Sequence, residues 1–106
     1  MIVTGALNVY PSEVERTLAE HPGVADSAVV GLPDERWGEA VTAFVVKRPG
    51  SGLGGDALLD FCRSRLAGYK RPKAVRFLDE IPRNPAGKPL RRVLKERFAD
   101  PGRRAR

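Results

Sequence analysis

Apolar residues recur along this chain with two different spacings, and the change from one to the other divides it into elements. In residues 11–20, Val14 and Leu18 lie four apart, which puts them on one face of a helix. Ser12 with Glu15 fits a capping box and Pro11 fits a first turn, so a short helix is predicted, stopped by His21, Pro22 and Gly23. Residues 24–32, VADSAVVGL, are rich in valine and alanine and bounded by turn formers, as a strand would be. PDERWGE then reads as a turn or hairpin loop. In residues 41–46, Val41, Ala43 and Val45 fall on one face and Thr42, Phe44 and Val46 on the other. Both faces are mostly apolar, which predicts a central strand covered on both sides. KRPGSGLGG, residues 47–55, is a glycine-rich surface loop without the spacing of a phosphate cradle. Asp56 caps a second helix through Ala67, striped by Leu58, Phe61 or Cys62, and Leu66, and ended by Gly68. A third strand is expected at 74–79, and Leu90, Val93, Leu94 and Phe98 mark one face of a last helix.

This order predicts an α+β fold: a small mixed β-sheet of about three main strands covered by about three helices, in a single domain. The domain is placed at residues 1–99, with residues 100–106, DPGRRAR, as a basic flexible tail. At 106 residues, 42% hydrophobic and 30% charged, the chain can support one ordinary core. No apolar run approaches the ~18 residues of a membrane span, and the start lacks the features of a secretory signal. Cys62 alone excludes an internal disulfide, and with only His21 beside it no Cys/His metal site can be assembled. A cytoplasmic setting is expected.

Charge is segregated. Net charge is +6, yet residues 69–106 hold 13 of the 19 basic residues and 4 of the 13 acidic ones, a local +9 that leaves −3 on residues 1–68. This points either to an anionic partner or to a solvated face with a frayed end. No serine sits in a nucleophile elbow and the lone histidine precedes a helix-ending proline, so a hydrolase is disfavoured. Asp34, Glu35 and Glu39 beside Trp37 read as solvation of an exposed hairpin.

Two stretches carry more. In IPRNPAGKPLRR, residues 81–92, Pro82, Pro85 and Pro89 restrict the backbone around Lys88, and Gly87 permits positive φ or close approach. Lys88 is then either an exposed turn cation or a charge held out toward a phosphate or carboxylate oxygen. In GYKRPK, residues 68–73, Tyr69 offers a ring for a base to stack on, and Arg71 and Lys73 project to one side of an extended chain. The alternative is a tyrosine packed on the core beside two solvated cations.

Three longer segments, TGALNVYPSEVE, VVGLPDERWGEAVTAFVV and LAGYKRPKAVRFLDEIPRNPAGKPLRRVLKE, together resemble the C-terminal domain of adenylate-forming enzymes, specifically the acyl-CoA synthetases that ligate fatty or aryl acids to CoA. The resemblance covers residues 1–99 in order. It implies that ATP and CoA are co-substrates, that Mg2+ accompanies ATP, and that both ATP and acid bind a large N-terminal domain of the same enzyme. It further implies that Lys88 is the catalytic lysine of the adenylation half-reaction, supported by Gly87 and Pro85. The domain would then swing and present another face to CoA, with Tyr69 against the adenine, Arg71 and Lys73 near the phosphates, Trp37 near the same ligand, and Gly5 in the loop beside the pantetheine channel. Without the large domain the chain is expected to be inactive, and the face meant for that domain would permit self-association.

One departure stands out. Where relatives read Gly-Gly-Glu-Asn, this chain reads Gly5-Ala6-Leu7-Asn8, so Ala6 would be strained if its position required positive φ. Two other readings are a basic nucleic-acid-binding module and a degenerate interaction domain of the same family. The first lacks a recognition-helix signature and interleaved aromatics, and no nucleic-acid partner is expected.

Overall fold

In a computed structural model that describes residues 1–36 and 38–98, alternating apolar positions become a mixed sheet with helices on both faces. The elements run β1 (Ile2–Thr4), β2 (Leu7–Val9), α1 (Pro11–Ala19), β3 (Val24–Asp34), β4 (Gly38–Lys47), α2 (Gly55–Arg63), a 3-10 turn (Gly68–Lys70), β5 (Ala74–Phe77) and α3 (Arg91–Phe98). The three main strands of the sequence reading are β3, β4 and β5. Two further strands, β1 and β2, come from the N-terminal segment; three residues are too few to register a period.

Strand β4 is the centre. On one side it pairs antiparallel with the long β3, from Val24↔Lys47 to Asp34↔Gly38. On the other side β1 meets its first residue antiparallel at Thr4↔Gly38, and β5 runs parallel to it from Ala74↔Thr42 to Phe77↔Val45. Between those two ladders a short length of β4 has, on this side, no strand beside it among the described residues.

The two faces carry two cores. Val41, Ala43 and Val45 join Val14 and Leu18 of α1 and Leu58 and Cys62 of α2. Phe44 on the opposite face joins Ala28, Val30, Leu32, Ile81 and Leu94 of α3. Strand β3 changes parity: Val24 belongs to the first core, while Ala28, Val30 and Leu32 belong to the second. A register shift between Val24 and Asp26 explains this, since one extra residue in a strand swaps every side chain beyond it to the other face. Cys62 is fully buried, and burial pushes its thiol up more than the nearby Arg65 guanidinium lowers it.

Both predicted side-chain caps are corrected. Helix α1 has Tyr10 at its N-cap with no side-chain cap bond, and Glu15 reaches another element instead. Its carboxylate accepts the Val29 N–H at 2.8 Å and pairs with Arg91 at 2.7 Å, while the Arg91 Nε donates to the Val29 carbonyl at 3.2 Å. Glu15 and Arg91 thus close the outer edge of β3 and tie α1 to α3 across it, a way of covering an edge that would otherwise invite pairing. Helix α2 begins after Gly54, not at an Asp56 cap, and ends at Arg63 rather than running to Ala67; Gly68 opens the 3-10 turn instead of ending the helix. No helix among the described residues is long and apolar enough to cross a membrane. The tail at 100–106 lies outside the described residues.

Candidate functional site

The loop from Ile81 to Leu90 folds back on itself. Arg83 and Pro89 form an antiparallel bridge, and the Leu90 N–H donates to the Pro82 carbonyl at 2.8 Å. At the tip, the Gly87 N–H donates to the Asn84 carbonyl at 2.8 Å, and the Asn84 N–H to the Lys88 carbonyl at 3.0 Å. The Lys88 N–H in turn donates to Asn84 Oδ1 at 3.0 Å. Gly87 sits at φ +87°, a conformation open to glycine and strained for other residues, so it makes this tight tip possible. The Lys88 backbone is therefore held through both its N–H and its carbonyl. Its side chain is exposed, and no hydrogen bond or ion pair among the described residues engages its ammonium.

Its basic neighbours are engaged. The Arg83 guanidinium forks onto both oxygens of Asp26 and donates through Nη1 to the Gly87 carbonyl at 2.6 Å. Arg91 is held by Glu15, and Lys95 meets Glu39 at 3.5 Å. Lys70 meets Glu13 at 2.9 Å. The charge segregation along the sequence thus becomes pairing in space: cations of the last third sit on carboxylates of the first two-thirds. Sequence reading missed Asp26 and Arg83 and gave Glu15 a local role instead, because each pairs with a residue far away along the chain.

A second surface lies at the gap in the β4 edge. Thr4, Gly5, Ala6, Leu7, Gly68, Tyr69 and Lys73 line an open, mostly apolar groove of about 440 Å³. The β1–β2 turn forms one wall and the 3-10 turn the other, while the Lys73 N–H donates to the Val41 carbonyl at 2.7 Å, anchoring the floor. Gly5 carries the positive φ of the turn, +62°, and no residue other than glycine has positive φ among those described. The strain anticipated at Ala6 is therefore absent. Lys70 holds the 3-10 turn against α1: the hydrogen bond to Glu13 raises its ammonium above the usual lysine range, against an opposing effect of burial. A raised value stabilises the fold below the ordinary lysine pKa near ~10.4 and is lost only as pH climbs past the folded value.

Arg71 and Lys73 do not project together. The 3-10 turn redirects Arg71, whose Nε donates to the Leu66 carbonyl at 2.9 Å and Nη2 to the Arg63 carbonyl at 2.7 Å. It satisfies carbonyls that the end of α2 leaves open, while Lys73 borders the groove. Arg71→Ala is accordingly expected to cost about 1–3 kcal/mol with no ligand present, read as a lower denaturant midpoint at unchanged slope. Trp37 lies outside the described residues. Glu39 accepts the Val3 N–H at 2.9 Å besides meeting Lys95, so it ties β1 to α3, and His21 accepts the Gly23 N–H at 2.9 Å within its own turn. Among the described residues no group of His, Cys, Asp or Glu could hold a metal ion.

The two surfaces are well separated. Arg83 reaches β3 at Asp26, opposite Val46, whereas the groove opens near Gly38, eight residues back along β4. The groove floor reaches Val41, so at ~3.3 Å per residue the groove lies about 17–26 Å along the strand from Val46.

The AMP-binding enzyme C-terminal domain family matches residues 13–88. A 7a-methyl-1,5-dioxo-octahydro-1H-inden-4-yl propanoyl:CoA ligase of Rhodococcus jostii is 53% identical over 96 residues, 91% of this chain and 19% of that protein. The 4-chlorobenzoate–CoA ligase of a Pseudomonas strain is 52% identical over 95 residues, 89% of this chain and 18% of the other. A solved fatty acyl CoA synthetase of Mycobacterium tuberculosis superposes with a TM-score of 0.87 at 46% identity, covering 93% of this chain and 20% of that one. The chain thus spans about a fifth of the length of the relatives it matches.

Proposed function

The chain belongs to the AMP-binding enzyme C-terminal domain family, and from that premise we propose that it is the mobile lid of an ATP-dependent acid–CoA ligase. A large domain would hold ATP, its Mg2+ and the acid. The lid would serve adenylation with one surface and thioester formation with the other.

In adenylation a carboxylate oxygen attacks the α-phosphate, and pyrophosphate leaves. Two anions must approach, and charge builds on the phosphoryl oxygens in the transition state. Lys88 would place its ammonium there, lowering the barrier because it acts most strongly where charge is greatest. In the second half-reaction CoA sulfur attacks the acyl carbon and AMP leaves. The groove bounded by Gly5, Tyr69 and Lys73 has the composition for a pantetheine arm and adenine: an apolar lining, one exposed aromatic ring and a cation at its border. Arg71 would serve this step by holding the turn that carries Tyr69.

The observation that supports this reading best is the separation of two unlike surfaces: an ammonium without an ionic partner among the described residues, on a bonded loop anchored beside Val46, and an apolar groove toward the Gly38 end of β4. Two such places cannot face one reaction centre at once, so a lid using both must turn between steps. The acid would be chosen by the large domain, since the three relatives described above are named for unlike acids at similar identity.

The test is complementation. Fusing this chain to the large domain of a solved relative that lacks its own C-terminal fifth should restore pyrophosphate release and CoA thioester formation. Restoration of neither, by a fusion that is folded, would end the proposal.

A further inference from the structure

We propose that Arg83, braced by Asp26, is the positioning residue that aims Lys88, an inference that rests on the adenylation role just given to that lysine. The tip of the loop is closed by its own backbone bonds among Asn84, Gly87 and Lys88, so it can tilt as one body. Prolines stiffen its ends but do not fasten it to the sheet. Among the described residues, the hydrogen bonds and ion pairs that join residues 83–89 to the sheet are those of Arg83 with Asp26.

The guanidinium divides its three nitrogens between two tasks. Nε and Nη2 fork onto the two oxygens of Asp26, a pairing whose geometry fixes the plane of the group. Nη1 then donates to the Gly87 carbonyl at 2.6 Å. That carbonyl belongs to the planar peptide unit that runs from the Gly87 Cα to the Lys88 Cα, so holding the oxygen fixes the plane in which the Lys88 Cα sits and from which its side chain departs. Asp26 is itself oriented, because its Oδ1 also accepts the Ser27 N–H at 2.8 Å. The register shift just before Asp26 puts its side chain on the same face as α3. Both partners are about one-third exposed, at 34% and 36% of their side-chain surface. A pair this wet adds little to stability, so its effect falls on geometry. Lysine at position 83 could meet Asp26 but could not also hold the Gly87 carbonyl in a fixed direction.

The test is made in the ligase with its large domain, measuring the two half-reactions separately for Arg83→Gln, Asp26→Asn and Arg83→Lys. Misplacing a reacting group by about 1 Å costs up to ~100-fold. Pyrophosphate release should therefore fall by about 10- to 100-fold in kcat for Arg83→Gln and Asp26→Asn, with KM for ATP and acid unchanged. Arg83→Lys should recover only part of the loss. Thioester formation from pre-made acyl-adenylate, and the melting temperature, should stay at wild-type values. Equal losses in both half-reactions, or none in the first, would overturn the positioning role. Lys88→Ala run alongside separates the two ideas. If it abolishes adenylation while Arg83→Gln does not, only this inference falls; if it too leaves adenylation intact, the reading of Lys88 falls with it.

Discussion

Lys88→Ala, introduced into the complete ligase, is expected to lower the rate of pyrophosphate release by about 10²–10³-fold, equivalent to ~2.7–4 kcal/mol of transition-state stabilisation. The magnitude follows from where the charge sits. The Lys88 side chain is exposed and without an ionic partner among the described residues, so alanine removes no contact that stabilises the lid itself. On the proposed role, its loss would be felt only when another domain's phosphates surround it, in a pocket drier than the surface where charge is worth more. The melting temperature should therefore not move. Thioester formation from pre-made acyl-adenylate should proceed at the wild-type rate, because the groove proposed for that step lies toward the other end of β4. Lys88→Arg is expected to rescue poorly: guanidinium keeps the charge but presents a broad planar fork where a compact ammonium was aimed. Full adenylation by the alanine variant would remove Lys88 from the mechanism.

How much of this was legible in the sequence depended on range. Central strand β4 was plain because Val41, Ala43 and Val45 alternate with Thr42, Phe44 and Val46, and the structure buries Val41 to Val45 entirely or nearly so. The tip of the Lys88 loop was readable too, since prolines and Gly87 act locally. Helix ends were misread where distant residues satisfied them. Glu15 fits a capping box but is drawn away to Val29 and Arg91, and the end of α2 depends on Arg71 folding back from beyond the next turn. The same applies to the sites. Gly5, Tyr69 and Lys73 were named from motifs, but only the fold brings them into one groove, and it turns Arg71 away from Lys73. Asp26 and Arg83 are 57 positions apart, so no local pattern could join them.

Phe44→Ala should be the most destabilising single change in the second core, costing about 3–5 kcal/mol. The ring is fully buried at the middle of β4, between Ala28 across the ladder and Phe98 of α3, whose ring centroid lies 4.9 Å away at 42°. It shares the core with Val30, Leu32, Ile81 and Leu94, and these come from strand, loop and helix, which cannot all collapse into the space a benzyl group vacates. A domain of this size has only some 5–15 kcal/mol to lose, so the variant should sit close to unfolding at ambient temperature. The loss should also be uneven. Helix α3 depends on this core through Leu94, whereas α1 and α2 pack on the other face against Val41, Ala43 and Val45. Hydrogen exchange should accordingly accelerate in α3 before α1, with polar ties such as Arg91 to Glu15 and Val29, and Lys95 to Glu39, left to hold α3. Because the Lys88 loop is strung between β5 and α3, a loosened α3 slackens its C-terminal anchor. Adenylation should then weaken more than thioester formation, at temperatures where the lid is still folded. Denaturant titration gives the first number, and a loss below ~1 kcal/mol would mean that α3 does not seal the sheet around this ring.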